Sequence, residues 1–439
     1  MKKLFTSLAI ATILLISSNS RAQSPQTPDR IVLHAARMLD VRAGKIVANP
    51  VVVIEGEKIA AVGGAEPKDA RVIDLGDVTL LPGLIDCHTH LTTDFYEKDS
   101  SNQFTRESPA DRALRGARNA RTTLLAGFTT VRDLGYISPL TAPADVALAQ
   151  AIDQGWVMGP RVIPVAHPLS ITGGHADPSM LARFDPGSLR LGPEEGIANG
   201  TDEVVKAVRA QIKYGAKWIK VCATAGVLSL EGSVGAQQYS QAELNAIVEE
   251  AARHGVRVAA HAHGTEGILA AVRAGVASIE HGSMLTDEAI ALMKQKGTYL
   301  VPTDYVTEGI NPETVPPIVR KKLESIKDVA RQSHRKAIAA GVKIAFGTDA
   351  GVFPHGHNAR EFARLVELGM TPADAIRTAT INAADLLDLK DRASIEPTRL
   401  ADLIAVRGNP LDDVRVLENP IFVMKGGQVV KGSVPIKQD

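Results

Sequence analysis

The chain has 439 residues, 45% of them hydrophobic and 22% charged, with 49 Lys+Arg against 49 Asp+Glu. That composition is globular and excludes a disordered tract or a collagen-like fibre; the even charge argues against a nucleic-acid binder, whose footprint is a basic excess. Two cysteines, Cys87 and Cys222, exclude a disulfide scaffold or a Cys-rich zinc module, while 12 histidines raise the question of a metal. At this length a single core has usually stopped growing, so one large domain and a smaller one are expected.

Met1-Lys2-Lys3 is a short positive segment, Leu4 to Ile16 an apolar run, and Ser20-Arg21-Ala22 supplies the small residues that a signal peptidase reads before Gln23. The run is too short to span a bilayer. Residues 1–22 therefore read as a cleaved signal peptide, which implies export to the periplasm or beyond and no membrane attachment afterwards. Loss of Lys2, Lys3 and Arg21 leaves the mature chain slightly acidic.

Residues 30–82 read as short strands. Val51 to Ile54, the turn residues Glu55-Gly56-Glu57-Lys58 and Ile59 to Val62 form a hairpin signal, followed by Arg71 to Leu75. Ala401 to Val406, Ile421 to Met424, Gly426-Gly427 and Gln428 to Val430 repeat that style near the other end. Both ends are β-rich and the middle is not, which predicts one small β-sandwich domain assembled from residues 23–82 and 398–439.

Residues 83–397 alternate. Apolar runs at Leu84–Asp86, Phe128–Val131, Arg161–Val165, Trp218–Val221, Val256–Ala260, Val276–Ile279, Thr298–Val301 and Val342–Phe346 are separated by helical segments. Ser108-Pro109 and the capping box Ser240-Gln241-Ala242-Glu243 open two of these helices, which Gly127 and Gly255 close, and Gly215 closes the one that starts near Thr201. Eight strands alternating with helices predict a (β/α)8 barrel of the α/β class. A doubly wound open sheet is the competing arrangement, but no Gly-rich phosphate loop follows the first strand.

In a barrel, chemistry belongs at the C-terminal ends of the strands. There the first strand carries His88-Thr89-His90, and alternation lets both imidazoles point at one ion. The fourth carries Lys220 among apolar residues, where an ammonium is costly. The fifth ends in His261-Ala262-His263, the sixth in Glu280-His281-Gly282 and the eighth in Gly347-Thr348-Asp349-Ala350-Gly351. Singly, each has a bland explanation: a satisfied core histidine, a helix-capping aspartate, a buried free thiol at Cys87 or Cys222. His254 and His334 fall in helices and His34 in the small β domain, and all three read as structural. Five strand ends each delivering a ligand-type residue to one rim are not accounted for in that way.

The stretches Pro82–His90, Glu280–Gly282, Gly347–Gly351 and Ala401–Ile404 resemble the amidohydrolase superfamily of metal-dependent hydrolases. Thr172–Asp177, Lys220–Thr224, Gly235–Ser240 and Ala260–Gly264 resemble its prolidase-like branch, which holds Xaa-Pro and Xaa-Arg/Lys dipeptidases or carboxypeptidases and ochratoxin A hydrolases. The resemblance covers essentially all of the mature chain. It implies two divalent ions, usually zinc: His88, His90 and Asp349 on the first, His261 and His281 on the second, and Lys220, carboxylated by CO2, bridging them. A carbamate turns a buried cation into a two-oxygen anion, and divalent ions of this kind take such nitrogen and oxygen ligands. Asp349 would take the proton of the attacking water and pass it to the leaving amine.

His263, two residues beyond His261, is expected to hydrogen-bond the substrate carbonyl or orient a ligand. His175, Tyr239 and His355, with His357 beside the last, sit on or near rim loops and are the substrate-binding candidates. The reading that follows is a hydrolase of amide or peptide bonds to a C-terminal amino acid, acting on small peptides or amides. The competing functions are a deaminase, which Lys220 disfavours, a cyclic-amide hydrolase, and a non-catalytic exported binding protein, which the intact ligand set disfavours. Assembly of identical copies is left open.

Overall fold

A computed structural model describes residues 30–97, 103, 106–140, 142–181, 190–230 and 232–432; the leader read at residues 1–22 lies outside them. Seven strands come first: β1 (Arg30–His34), β2 (Arg37–Asp40), β3 (Lys45–Ala48), β4 (Val51–Glu55), β5 (Lys58–Val62), β6 (Arg71–Asp74) and β7 (Val78–Pro82). The next seven are β8 (Leu84–Thr89), β9 (Phe128–Asp133), β10 (Arg161–Pro164), β11 (Ile219–Cys222), β12 (Val258–Ala262), β13 (Ser278–His281) and β14 (Tyr299–Val301). The last three are β15 (Leu403–Arg407), β16 (Phe422–Lys425) and β17 (Gln428–Lys431).

The two chain ends meet in a sandwich. One sheet has the order β5-β4-β1-β6, and the other, β17-β16-β15-β7-β2-β3, interleaves strands from both ends. Antiparallel pairing of β7 with β15, Pro82 opposite Leu403, is the seam. Its core takes Leu33 and Ile54 from one sheet and Leu80, Leu403 and Met424 from the other. The expected hairpin pairs β4 with β5. Gly426 and Gly427, with φ of 54° and 76°, turn β16 into β17 as a two-residue hairpin requires.

Strands β8 to β14 pair in parallel in two arcs, β10-β9-β8 and β11-β12-β13-β14, with helices on the connections, as in a barrel. The helix Pro109–Leu125 has a full capping box between Ser108 and Asp111; Gln241–Arg253 has one between Ser240 and Glu243. Alternate strand residues face different layers: Val258 and Ala260 pack with Leu244 and Ile247 of a helix, and Ala259 with Ile85, Cys87 and Val301. Cys87 and Cys222 are both buried, and no disulfide joins them. No helix among the described residues is long and apolar enough to cross a membrane.

The ring departs from the expectation at the eighth strand. Residues 342–346 form no ladder; they touch β14 through Leu300 N to Lys343 O (2.8 Å) and β8 through Cys87 N to Phe346 O (2.9 Å). The cause is an intervening segment. Ile85 N donates to Ala379 O and Phe346 N to Thr378 O, so the C-terminal end of the helix Pro372–Thr378 takes donors that a regular ladder would use. The arcs meet on the other side through an isolated bridge, Leu169 to Val221.

Candidate active site

Four strand ends and the turn after residue 346 deliver their polar residues to one cavity of about 540 Å³, lined by His88, His90, His175, Lys220, His261, His263, His281 and Asp349. At the end of β8, His88 Nε2 and His90 Nε2 lie 3.3 and 3.2 Å from the same Asp349 oxygen, Oδ1. On the neighbouring strands, Cys222 of β11 pairs in register with His261 of β12, and Ala262 with His281 of β13. The His281 ring sits among the others, with centroids 5.1 Å from His88, 4.7 Å from His261 and 4.8 Å from His263. His281 and Asp349 have φ of 70° and 63°. Non-glycine residues adopt that left-handed backbone at a cost of order 1–3 kcal/mol, and such outliers concentrate at functional sites.

Two groups of donors stand close enough to share an ion: His88, His281 and Asp349, and His261, His263 and His281, each with its atoms within 4.8 Å of one another. The residues fit a divalent metal on two further counts. His261 Nε2 is buried and has no hydrogen-bond partner, a cost that coordination removes. Burial and neighbouring imidazoles hold His261 and His281 well below the usual histidine range, so both stay neutral, the form that ligates. Burial would raise the Asp349 carboxyl, but His88 and His90 hold it well below the usual carboxylate range. Burial pushes the Lys220 ammonium down, towards the neutral amine that can react with CO2.

The ligand-type imidazoles are oriented from behind, as metal-binding histidines are. His88 Nδ1 meets Glu280 Oε2 at 2.9 Å, His90 Nδ1 meets Gly135 O at 3.3 Å, and His281 Nδ1 meets Thr303 Oγ1 at 2.8 Å. Glu280 is in turn gripped by Arg132 Nη2 at 2.8 Å, both side chains fully buried. Sequence reasoning assigned no role to Glu280, Arg132 or Thr303; the signal available for two of them was opposite charge, Arg132 and Glu280, inside two strands of the ring.

Among the substrate-binding candidates, His175 lines the cavity, with its ring stacked on His261 at 4.0 Å and Nδ1 2.7 Å from Ser229 Oγ. His263 lines it too, Nδ1 2.7 Å from Ser283 Oγ. The structure does not bring the other two to the cavity lining. Tyr239 is 1% exposed, and its hydroxyl donates to Ala198 O at 3.2 Å within the helix-layer core, so its side chain is taken up there and not at the rim. His355 is buried outside the cavity, Nδ1 3.3 Å from Thr123 Oγ1 of the helix Pro109–Leu125; its neighbour His357 is on the surface. His334 remains structural although it reaches the cavity wall, since its ring bridges Asp304 Oδ1 (3.0 Å) and His281 O (2.6 Å). His254 caps its helix and faces Glu250.

Residues 79–430 match the Amidohydrolase family. The chain belongs to that family and is a hydrolase of amide or peptide bonds, in a family that generally uses divalent metals. The ochratoxinase of Aspergillus niger is 36% identical to it over 433 residues, covering 92% of this chain and 87% of that one. The crystal structure of the A. niger ochratoxinase superposes with a TM-score of 0.82 at 35% identity, covering 92% of this chain and 96% of that one. A Xaa-Pro dipeptidase with methionine bound in its active site superposes at 0.86 and 39% identity, covering 92% and 100%.

Proposed function

We propose that the protein is an exported hydrolase with two divalent ions, zinc in the first place, that releases a C-terminal amino acid from dipeptides and N-acyl amino acids. The observation that carries this reading is the convergence of His88, His90, Lys220, His261, His281 and Asp349 on one cavity, with His261 Nε2 buried and unpartnered. The similarity to an ochratoxinase and to a Xaa-Pro dipeptidase supports an amide or peptide bond as the target. The leader at residues 1–22 supports export, which the intact mass of the exported protein tests.

His88, His90 and Asp349 would hold one ion and His261 and His281 the other, with a carbamate on Lys220 between them. When bound, the ions supply Lewis acidity to the scissile carbonyl and to the attacking water. Asp349, kept ionised by His88 and His90, accepts the proton of that water at its carboxylate and returns it to the leaving nitrogen. His175 and His263 present imidazoles to the substrate from the cavity wall. The apolar wall, including Val227, Leu228, Ile310, Leu323 and Val352, excludes water from the reacting end.

The test is elemental analysis of the purified protein with a library of dipeptides and N-acyl amino acids. About two divalent ions per chain are expected, as a bridged site holds, with turnover lost on chelation. Full activity without metal overturns the reading. Acid and amide forms of the best substrate are then compared. Loss of a charged hydrogen bond in a desolvated site costs about 1.5–3 kcal/mol, roughly ten- to a hundredfold or more in kcat/KM; equal rates would favour cyclic amides instead.

A further inference from the structure

The loop that follows β11 is tied across the barrel mouth to an element far from it in the ring. Lys322, on the helix Pro317–Ala339 and 8% exposed, donates to Ser229 O at 2.8 Å and to Gly226 O at 3.3 Å. The same two loop residues meet His175. Ser229 Oγ faces its Nδ1, and Gly226 backs the ring so closely that a Cβ there would lie 2.2 Å from His175 Cε1. His175 is thus held between the Gly226 backbone and the His261 ring, at a stacking distance of 4.0 Å. Val227 and Leu228, between the two anchoring carbonyls, pack in the apolar wall with Ile310 and Leu323, and Leu323 is the neighbour of Lys322 on the helix.

We propose that Lys322 is a positioning residue for substrate binding: it clamps the 226–229 loop over the site and thereby fixes the Ser229 hydroxyl, the His175 ring and the apolar wall together. The ammonium is suited to this because one flexible stem can donate to several carbonyls at once. A carbonyl pair offers nothing to an apolar side chain of the same length. The proposal rests on the function above only for its kinetic readout; the clamp itself has a readout independent of any substrate.

The variants are Lys322→Met, which keeps the stem and removes the donors, Lys322→Arg, which keeps them, and Ser229→Ala, which leaves both carbonyls. On the best substrate of the library, Lys322→Met should raise KM about tenfold, the loss expected of a charge-assisted hydrogen bond, with kcat within about threefold and metal content unchanged. Lys322→Arg should recover most of that loss. Ser229→Ala should raise KM less, and the double variant should be no worse than Lys322→Met, because both act through one chain of contacts. Amide hydrogen exchange at residues 224–230 should quicken in Lys322→Met and not in Lys322→Arg. Unchanged KM with only a lower melting temperature would make Lys322 a plain structural residue, and unchanged exchange in the loop would remove the clamp. Should Lys322→Met not fold, Lys322→Gln takes its place, and unchanged KM or unchanged exchange at residues 224–230 in that variant overturns the proposal. A wild-type enzyme that turns over no member of the library defeats the proposed function, while the exchange result still decides the clamp.

Discussion

Glu280 fixes which nitrogen His88 turns to the cavity. Its Oε2 lies 2.9 Å from His88 Nδ1, so that proton is held at the back of the ring and Nε2 faces Asp349. Burial would raise the Glu280 carboxyl, but Arg132 and His88 lower it to about 2, so it is ionised throughout the working range. The Arg132–Glu280–His88 chain is therefore a charged rod inside an apolar ring, ending at the site.

Replacing Glu280 with Gln should act on both stability and metal. Arg132 would be left as an uncompensated buried charge, at a cost of about 3–5 kcal/mol. Metal affinity should fall roughly ten- to a hundredfold through loss of the His88 orientation. Urea denaturation and a metal titration on the folded variant measure the two effects. Wild-type metal affinity in that variant would remove Glu280 as the orienting group.

Lys220→Ala should lower metal content and abolish turnover, and short carboxylates such as formate or acetate should restore part of both by standing where the carbamate would. Elemental analysis with and without the carboxylate is the measurement. A variant that keeps its metal and its rate contradicts a bridge at Lys220.

Asp349→Asn keeps the shape and removes the proton acceptor. With metal content measured on the same sample, kcat should fall by about 10²–10⁴ while KM changes little. A metal-loaded Asn variant with wild-type kcat would exclude Asp349 from proton transfer.

Three buried histidines of the site should cost the metal-stripped protein stability in mild acid. His263 is lowered to about 3, chiefly by burial, and His261 and His281 also lie well below their ordinary values. Their folded-state values lie below the unfolded value of about 6.5, so the unfolded chain takes up protons first. The stabilisation is complete above that pH and is lost as pH falls through it, by up to about 1.4 kcal/mol per pH unit for each histidine. Buried carboxyls act the other way, burial raising Asp86 to about 6 and Asp145 to about 7, so the comparison is with His263→Gln. Between about pH 7.5 and 5 the chelated variant's melting temperature should fall less steeply than that of the chelated wild type, and equal slopes would mean that His263 is not held neutral in the fold.

The amino-acid sequence by itself determined the alternation of strands and helices, the sandwich built from both ends, and the donors at the strand ends. Those follow from local physics: two-residue alternation, caps such as Ser108 and Ser240, and the Gly426-Gly427 turn are all written within a few neighbouring positions. The tertiary structure alone decided what stands behind and beside those donors. Glu280 reaches His88 across 192 positions of chain, and Lys322 reaches the loop of Ser229 across 93. Loop histidines divided the same way: His175 turned into the cavity and His355 against Thr123, because backbone angles in loops carry no hydrophobic period to read. The eighth strand lost its ladder for a related reason, since Thr378 and Ala379, more than 30 positions on, take the donors that its own apolar run leaves open. Short-range periodicity can specify which residues reach a rim; only packing across the ring specifies which of them meet.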